Sequence, residues 1–437
     1  AGLLVVVADD PGKHSSQNEK DSRRYAKFAR VPCLEPADSQ EAKDLVALGL
    51  DLSERFDTPV LLRTMTRIAH SSSVVVLGEP PAPLAPAPPF HIDPGKYVMV
   101  PANARRRHPL IEERIGRLSA WAEGAPCNRL EWRDRRLGIV AGGVAYQYAR
   151  EVFPEASILK LGMTYPLPPD LVRAFAAGVE RLLVLEELDP FLEEEIRLLG
   201  VRAEGSAIFP RCGEFDPAVV RESAVRAGVL PGGDTGHRPV STGGEAAPTP
   251  LPARPPVLCP GCPHRAVFHV LRKLGVLVNG DIGCYTLGYL PPLSAMHTQG
   301  CMGASIGIAH GVSQAGSPQP NVAVIGDSTF LHSGIPALLN LAYNRGRTVV
   351  LILDNETTAM TGHQPHPATG RTLRGQETVR TDLAALSRAL GIENVSVVDA
   401  YDLPAVEEAV RAGLAAGAPA VVITQRACAL LPQVRPT

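Results

Sequence analysis

Residues 322–370 read VAVIGDSTFLHSGIPALLNLAYNRGRTVVLILDNETTAMTGHQPHPATG. The apolar run Val322-Ala323-Val324-Ile325 stops at Gly326-Asp327-Ser328. The spacing predicts a helix from about 335 to 344, and a second apolar run over 349–353 stops at Asp354-Asn355. This is strand, crossover helix, strand, with a polar tip on each strand. In a parallel sheet both tips lie at the carboxyl edge, where ligands bind. The Asp327 carboxylate and the Asn355 carboxamide, 28 positions apart, therefore converge. Both offer oxygen, which suits Mg²⁺, an ion that takes a few protein oxygens and leaves its other positions to water and phosphate. Gly326 permits close backbone approach, and the helix after the first tip offers free N–H groups to an anion. The spacing points to a diphosphate held through a divalent ion.

The remaining chain is consistent with several such α/β layers. At 437 residues about three domains are expected. A net charge of -2 argues against nucleic-acid binding. No apolar run approaches the length of a membrane span. The opening Leu3-Leu4-Val5-Val6-Val7 has no basic region before it and no small-residue cleavage site after it, so it reads as a buried strand rather than a signal.

Residues 1–75 predict a strand over 3–8, the polar segment Asp9–Glu19, a helix over 40–55 capped by Asp38 or Ser39, and a strand over 59–65. Residues 76–96 form a linker rich in proline and alanine. Residues 97–229 alternate again: strands over 137–141, 158–161 and 181–185, with helices over 144–152 and 171–177. Gly142-Gly143 after a strand reads as tight packing. The acidic run Glu186-Glu187, Asp189 and Glu193-Glu194-Glu195 reads as the start of an exposed helix. Residues 230–256, dense in Gly, Pro, Ser and Thr, are a flexible linker, and 257–437 form the last domain.

Eight cysteines in a chain of this size are not a disulfide framework. Cys259-Pro260-Gly261-Cys262 opens the last domain, Cys284 follows a short strand, and Cys428 follows the last one. Four thiolates at one sheet edge suit Zn²⁺ or a [4Fe–4S] cluster, and the spacing alone does not choose. Cys301 is a rival fourth ligand or simply lines the pocket. Cys33, Cys127 and Cys212 read as small buried hydrophobes. His264, His297, His332, His363 and His366 all fall in loops next to these motifs.

GDSTFLHSG with LDNETTAMTGHQPHP, together with ADDPGKHSSQNE at residues 8–19, resembles the thiamine-diphosphate-binding (alpha) subunit of indolepyruvate:ferredoxin oxidoreductase. The resemblance implies doubly wound parallel-sheet domains of the transketolase/pyruvate:ferredoxin oxidoreductase type. Residues 1–75 would be the later part of a pyrimidine-binding domain, 97–229 a transketolase C-terminal-like domain and 257–437 the thiamine-diphosphate-binding domain. By the same resemblance Asp327, Asn355 and the Thr357 carbonyl hold Mg²⁺. Gly283, Cys284, Gly326, Ser328, Thr329, Thr361 and Gly362 line the cofactor, and His363 and His332 are candidates for the catalytic chemistry. Cys259, Cys262, Cys284 and Cys428 occupy the places that hold a proximal [4Fe–4S] cluster.

The activity so implied is oxidative decarboxylation of arylpyruvates such as indolepyruvate to the aryl-acetyl-CoA. It takes place in a cytoplasmic hetero-oligomer with a beta subunit, with coenzyme A as acyl acceptor and ferredoxin as electron acceptor. The expected chain is truncated at the N-terminus and lacks the family's C-terminal ferredoxin-like domain. The glutamate that activates the aminopyrimidine belongs to the early segment, and neither Glu19 nor Glu356 matches it. Two other readings stand beside this one. A non-oxidative thiamine-diphosphate decarboxylase shares the Mg²⁺ motif but has no use for four cysteines, and a non-catalytic assembly subunit or fragment accords with the missing glutamate.

Overall fold

A computed structural model of the chain describes residues 2–78, 93–97, 100–231, 256–432 and 434. Most of both expected linkers, residues 79–92 and 232–255, lies outside the described residues. The chain divides into two compact units, residues 1–245 and 246–437.

The second unit is a six-stranded sheet built from β9 (Leu277–Gly280), β10 (Thr298–Gln299), β11 (Asn321–Gly326), β12 (Val349–Asp354), β13 (Asn394–Asp399) and β14 (Ala420–Gln425). Its order is β10-β9-β11-β12-β14-β13, and every pairing is parallel. Strands β11 and β12 are central, and all six residues of each are buried. That is why they read as unbroken apolar runs: both faces of a parallel sheet are covered. One apolar layer joins Val322 and Val324 to Val267 and Leu271 of helix Pro263–Leu274. The opposite layer joins Ala323 and Ile325 to Leu338 and Leu341 of helix Ile335–Tyr343. Each fully buried aliphatic side chain contributes about 1.5–3 kcal/mol, so the two layers hold the carboxyl edge rigidly.

The first unit contains two four-stranded sheets. One has the order β1-β3-β2-β7, from β1 (Leu4–Asp9), β2 (Cys33–Leu34), β3 (Val60–Met65) and β7 (Met163–Tyr165). The other has the order β4-β6-β5-β8, from β4 (Arg129–Glu131), β5 (Asp134–Gly142), β6 (Ala156–Leu161) and β8 (Arg181–Leu185). The pairing of β2 with β7 is antiparallel and brings residue 33 to residue 165. Helix Ser39–Phe56 begins as expected, with the Asp38 carboxylate accepting the Glu41 N–H. Gly142 is held by packing, as its sequence context suggested: a Cβ there would stand 2.9 Å from the Thr164 methyl. The 22-residue helix Pro101–Ala122 is not among the expected elements, since its arginine-rich start and Pro109 mask its periodicity.

The acidic run differs from expectation. Glu186, Glu187 and Glu193 are buried, not exposed. Glu186 accepts the Leu192 and Glu193 N–H groups and an Arg23 guanidinium N–H at 2.7 Å. Glu193 accepts the N–H groups of Gly205 and Ser206. Asp189, Glu194 and Glu195 reach the surface side, where Asp189 and Glu194 pair with Arg24 and Glu195 with Lys27. Backbone N–H groups and arginines satisfy the inner acids, a device invisible to charge patterning. Arg63 is likewise buried, 2.6 Å from Asp9 and 2.7 Å from Glu35. Burial alone would raise the Asp21 carboxyl, but Arg23 and Arg63 beside it hold it well below the usual carboxylate range. Cys33 is buried and Cys127 half-buried, whereas Cys212 is exposed, contrary to the packing role expected for it.

Candidate functional site

The register of β11 and β12 sets Gly326 opposite Leu353, so Asp327 and Asp354 leave the sheet side by side. Asp327 is 2% exposed. Its Oδ1 accepts the Ser328 N–H at 2.7 Å, and its Oδ2 accepts the N–H groups of Asn355 at 3.2 Å and Glu356 at 3.0 Å. The two strand tips therefore meet as their sequence predicted. Asp354 adds a second buried carboxylate, accepting from Glu356 N and from the Gln425 amide. Burial, and then the neighbouring Asp327, push the Asp354 carboxyl up to about 6. Two facing carboxylates in a buried site carry negative charge that a divalent cation relieves.

His366 closes this cluster from the far side. It is buried, and its Nδ1 accepts the Ala368 N–H at 3.3 Å. A neutral ring that accepts at Nδ1 carries its hydrogen on Nε2. That Nε2 lies 3.2 Å from Asp327 Oδ2, off the line of a hydrogen bond, and has no hydrogen-bond partner of its own. A buried polar group aimed at a carboxylate cluster and left unpaired is the mark of a site that a ligand completes.

A cavity opens at the two tips. Gly283, Cys284, Gly326, Asp327, Ser328, Thr329, Asn355, Thr357 and Thr361 all line it, and of the expected cofactor residues only Gly362 stands outside its wall. The donors on offer are a carboxylate, a carboxamide, hydroxyls and backbone carbonyls, a set that fits Mg²⁺ and a diphosphate. The Thr357 carbonyl accepts the Ala359 N–H at 3.0 Å and keeps its second lone pair. A Cβ at position 326 would come within 2.8 Å of the Tyr285 ring, so glycine is needed for that packing. Tyr285, Met302, Ala359 and Met360 are also part of the wall. None of them was expected, because apolar side chains in loops carry no motif.

Cys259, Cys262, Cys284 and Cys428 line one adjoining cavity, so the structure brings together the four cysteines singled out by position. Cys262 N–H donates to the Cys259 carbonyl at 3.1 Å, and Cys428 N–H donates to the Asn355 carbonyl at 3.0 Å. Burial pushes the Cys262 thiol up to about 11, with its backbone N–H bond from His264 pulling the other way and the three other sulfurs raising it further. Burial also raises Cys284. Among the described residues no three His, Cys, Asp or Glu side chains converge tightly enough to hold a single metal ion. Cys301 is exposed and lines neither cavity.

The histidines divide by environment. His363 is exposed, has a left-handed backbone (φ 64°) and lines the cysteine cavity. His332 is exposed on the turn Phe330–Gly334 and lines neither cavity. The His297 ring accepts the Val278 N–H at 3.0 Å, a structural bond. His264 is buried between the two cavities and lines both, and burial pulls its imidazole down to about 4. Glu356 contributes its backbone N–H to Asp327, and Glu19 accepts from Gly213 N in the first unit. Two site residues were visible in the sequence but given no role there: Asp354, beside Asn355, and His264, two positions after Cys262.

The family described as thiamine pyrophosphate enzyme, C-terminal TPP binding domain, matches residues 281–424. The chain is 40% identical to indolepyruvate oxidoreductase subunit IorA of Thermococcus kodakarensis, over 98% of this chain and 71% of that protein. It is 38% identical to the subunit of the same name from Archaeoglobus fulgidus, again over 98% and 71%. With that of Methanothermobacter marburgensis it shares 40%, over 98% and 72%. Among solved structures, a 2-oxoglutarate:ferredoxin oxidoreductase from Magnetococcus marinus matches with a TM-score of 0.37 and 18% identity, over 40% of this chain and 65% of that one.

Proposed function

Because the chain belongs to the family of indolepyruvate oxidoreductase subunit IorA, and so is a subunit of a 2-oxo acid oxidoreductase, we propose that it carries thiamine diphosphate, Mg²⁺ and a [4Fe–4S] cluster. The reaction is oxidation of an aryl 2-oxo acid such as indolepyruvate. The acid's carboxylate leaves as carbon dioxide, coenzyme A takes the acyl group, and two ferredoxins each take one electron. The cytoplasmic setting, the beta subunit and the domain assignments 1–75, 97–229 and 257–437 belong to the same proposal.

One observation carries the reading: the cavity at the strand tips and the cysteine cavity share His264, Cys284, Asn355 and Ala359 as a common wall. When bound, thiamine diphosphate supplies the carbanion chemistry that releases carbon dioxide, and a cluster supplies one-electron acceptance. The chain's own residues hold and orient. Asp327, Asn355 and the Thr357 carbonyl are the oxygen donors for Mg²⁺. Ser328, Thr329 and Thr361 present hydroxyls to the diphosphate, and Gly283 and Gly326 line the same cavity while making space for the Tyr285 ring. Cys259, Cys262, Cys284 and Cys428 would hold the cluster as thiolates. His363, at the mouth of the cysteine cavity, is the histidine in place to meet substrate, and the exposed His332 is the weaker candidate.

The test is iron and acid-labile sulfide after anaerobic purification, wild type beside Cys284→Ser and Cys428→Ser. Roughly four irons per chain, lost in both variants, together with indolepyruvate-dependent ferredoxin reduction, is the expected result. A folded protein that binds thiamine diphosphate without iron and releases the aldehyde would make it a non-oxidative decarboxylase instead.

A further inference from the structure

We propose that His264 is a positioning residue: it fixes which end of the Asn355 carboxamide faces the cofactor cavity. The inference rests on the Mg²⁺–diphosphate reading above. His264 is 4% exposed, in the first turn of helix Pro263–Leu274. Its ring stands edge-on to Tyr285, with centroids 5.8 Å apart and planes at 86°. Tyr285 is itself tethered, its hydroxyl donating to the Ile282 carbonyl at 2.9 Å. The imidazole is thus held in one orientation by packing.

His264 Nε2 lies 3.5 Å from Asn355 Nδ2, at the outer limit of a hydrogen bond. A carboxamide nitrogen has only hydrogens to offer, so Nε2 presents its lone pair and the ring carries its hydrogen on Nδ1. The two ends of a carboxamide are nearly the same size, and only hydrogen bonding tells them apart. Only the oxygen end can serve a cation. An acceptor that takes the nitrogen end therefore leaves Oδ1 for the cofactor side. Without it only the cation itself holds the oxygen end toward the cofactor side, at a cost to its affinity.

The same residue adjoins the cysteine loop, two positions after Cys262 and on the wall of the cysteine cavity. Asn355 is fastened there through its carbonyl and the Cys428 N–H. His366 is the counterpart on the other tip, with its hydrogen on Nε2 toward Asp327. Each oxygen-donor side chain thus has a buried histidine beside it, but only His264 is in hydrogen-bond contact with its neighbour. Partners of this kind behind a ligand typically govern metal affinity.

The experiment compares His264→Phe, which keeps a ring but has no acceptor, with His264→Gln, which keeps an acceptor. Thiamine diphosphate binding to the intact chain is followed by calorimetry across a Mg²⁺ titration, with iron content measured in parallel. The Phe variant is expected to raise the Mg²⁺ concentration for half-saturation by about 10- to 100-fold. The Gln variant should return within a few-fold of wild type, and both should keep wild-type iron. Wild-type Mg²⁺ dependence in the Phe variant would overturn the proposal. So would a Gln variant no better than Phe, or iron lost along with Mg²⁺ affinity, since either result makes the ring a packing element. Asp327→Ala separates the parent reading: if it binds the cofactor with unchanged Mg²⁺ dependence, the cofactor assignment itself fails.

Discussion

Glu187→Gln tests whether the buried acids of the first unit are maintained at a cost. Glu187 is 4% exposed and accepts the Phe215 N–H at 2.6 Å. Arg63, Arg67, Glu214 and Tyr148 face it, but Arg67 is engaged by Glu214 at 2.7 Å and Arg63 by Asp9 and Glu35. Burial pushes its carboxyl up to about 7, with the Phe215 N–H only partly offsetting this. A raised folded-state value means that the folded chain keeps the proton while the unfolded chain gives it up. Stability is then fully present below the unfolded value near 4.5, declines as pH rises, and levels off once the folded group ionises near 7. Each pKa unit is about 1.4 kcal/mol, so the total loss is ~3 kcal/mol. Glutamine keeps the acceptor for Phe215 and cannot ionise. It should match wild type at pH 4 and exceed it by ~1–3 kcal/mol at pH 8, the lower figure allowing for the lost attraction to Arg63 and Arg67. Both tryptophans, Trp121 and Trp132, lie in the first unit, so urea denaturation followed by tryptophan fluorescence reports on that unit alone. A difference that stays flat from pH 4 to 8, or a variant less stable at pH 8, would refute the reasoning.

Asp327→Ala should abolish Mg²⁺-dependent thiamine diphosphate binding in calorimetry, since it removes the central oxygen donor and leaves the Asn355 and Glu356 N–H groups unpaired. Arg63→Met should destabilise the first unit by ~3–5 kcal/mol, because Asp9 and Glu35 lose their buried counter-charge; a loss under ~1 kcal/mol in the same fluorescence assay would mean water compensates. Asp38→Ala removes the acceptor for Glu41 N–H and should cost ~1 kcal/mol, readable as a shifted urea midpoint with an unchanged slope. Cys301→Ser should retain full iron content while Cys428→Ser does not, and the reverse result would exchange their assignments.

Much of the second unit was legible from period and punctuation. Apolar runs that stop at Gly326-Asp327 and Asp354-Asn355 dictate parallel strands whose tips share an edge, because a crossover of that length admits little else. The cysteine positions were legible for the same reason: each falls at a strand end or a helix entry, so topology alone carries them to one place. The first unit was less readable. Its acidic run obeyed a surface pattern, and its long arginine-rich helix obeyed none.

The sequence by itself determined the longer core strands, where they end and which oxygen and sulfur donors stand at those ends, since these follow from local periodicity and chain connectivity; the shortest strands and β13 carried too weak a pattern to be read. Only the tertiary structure decided how the donors are held. That Glu186, Glu187 and Glu193 turn inward depends on N–H groups and arginines supplied from distant segments. That His264 faces the Asn355 carboxamide while His366 accepts the Ala368 N–H depends on what each ring happens to face. Hydrogen-bond direction and burial are properties of neighbours in space, and no spacing along the chain encodes them.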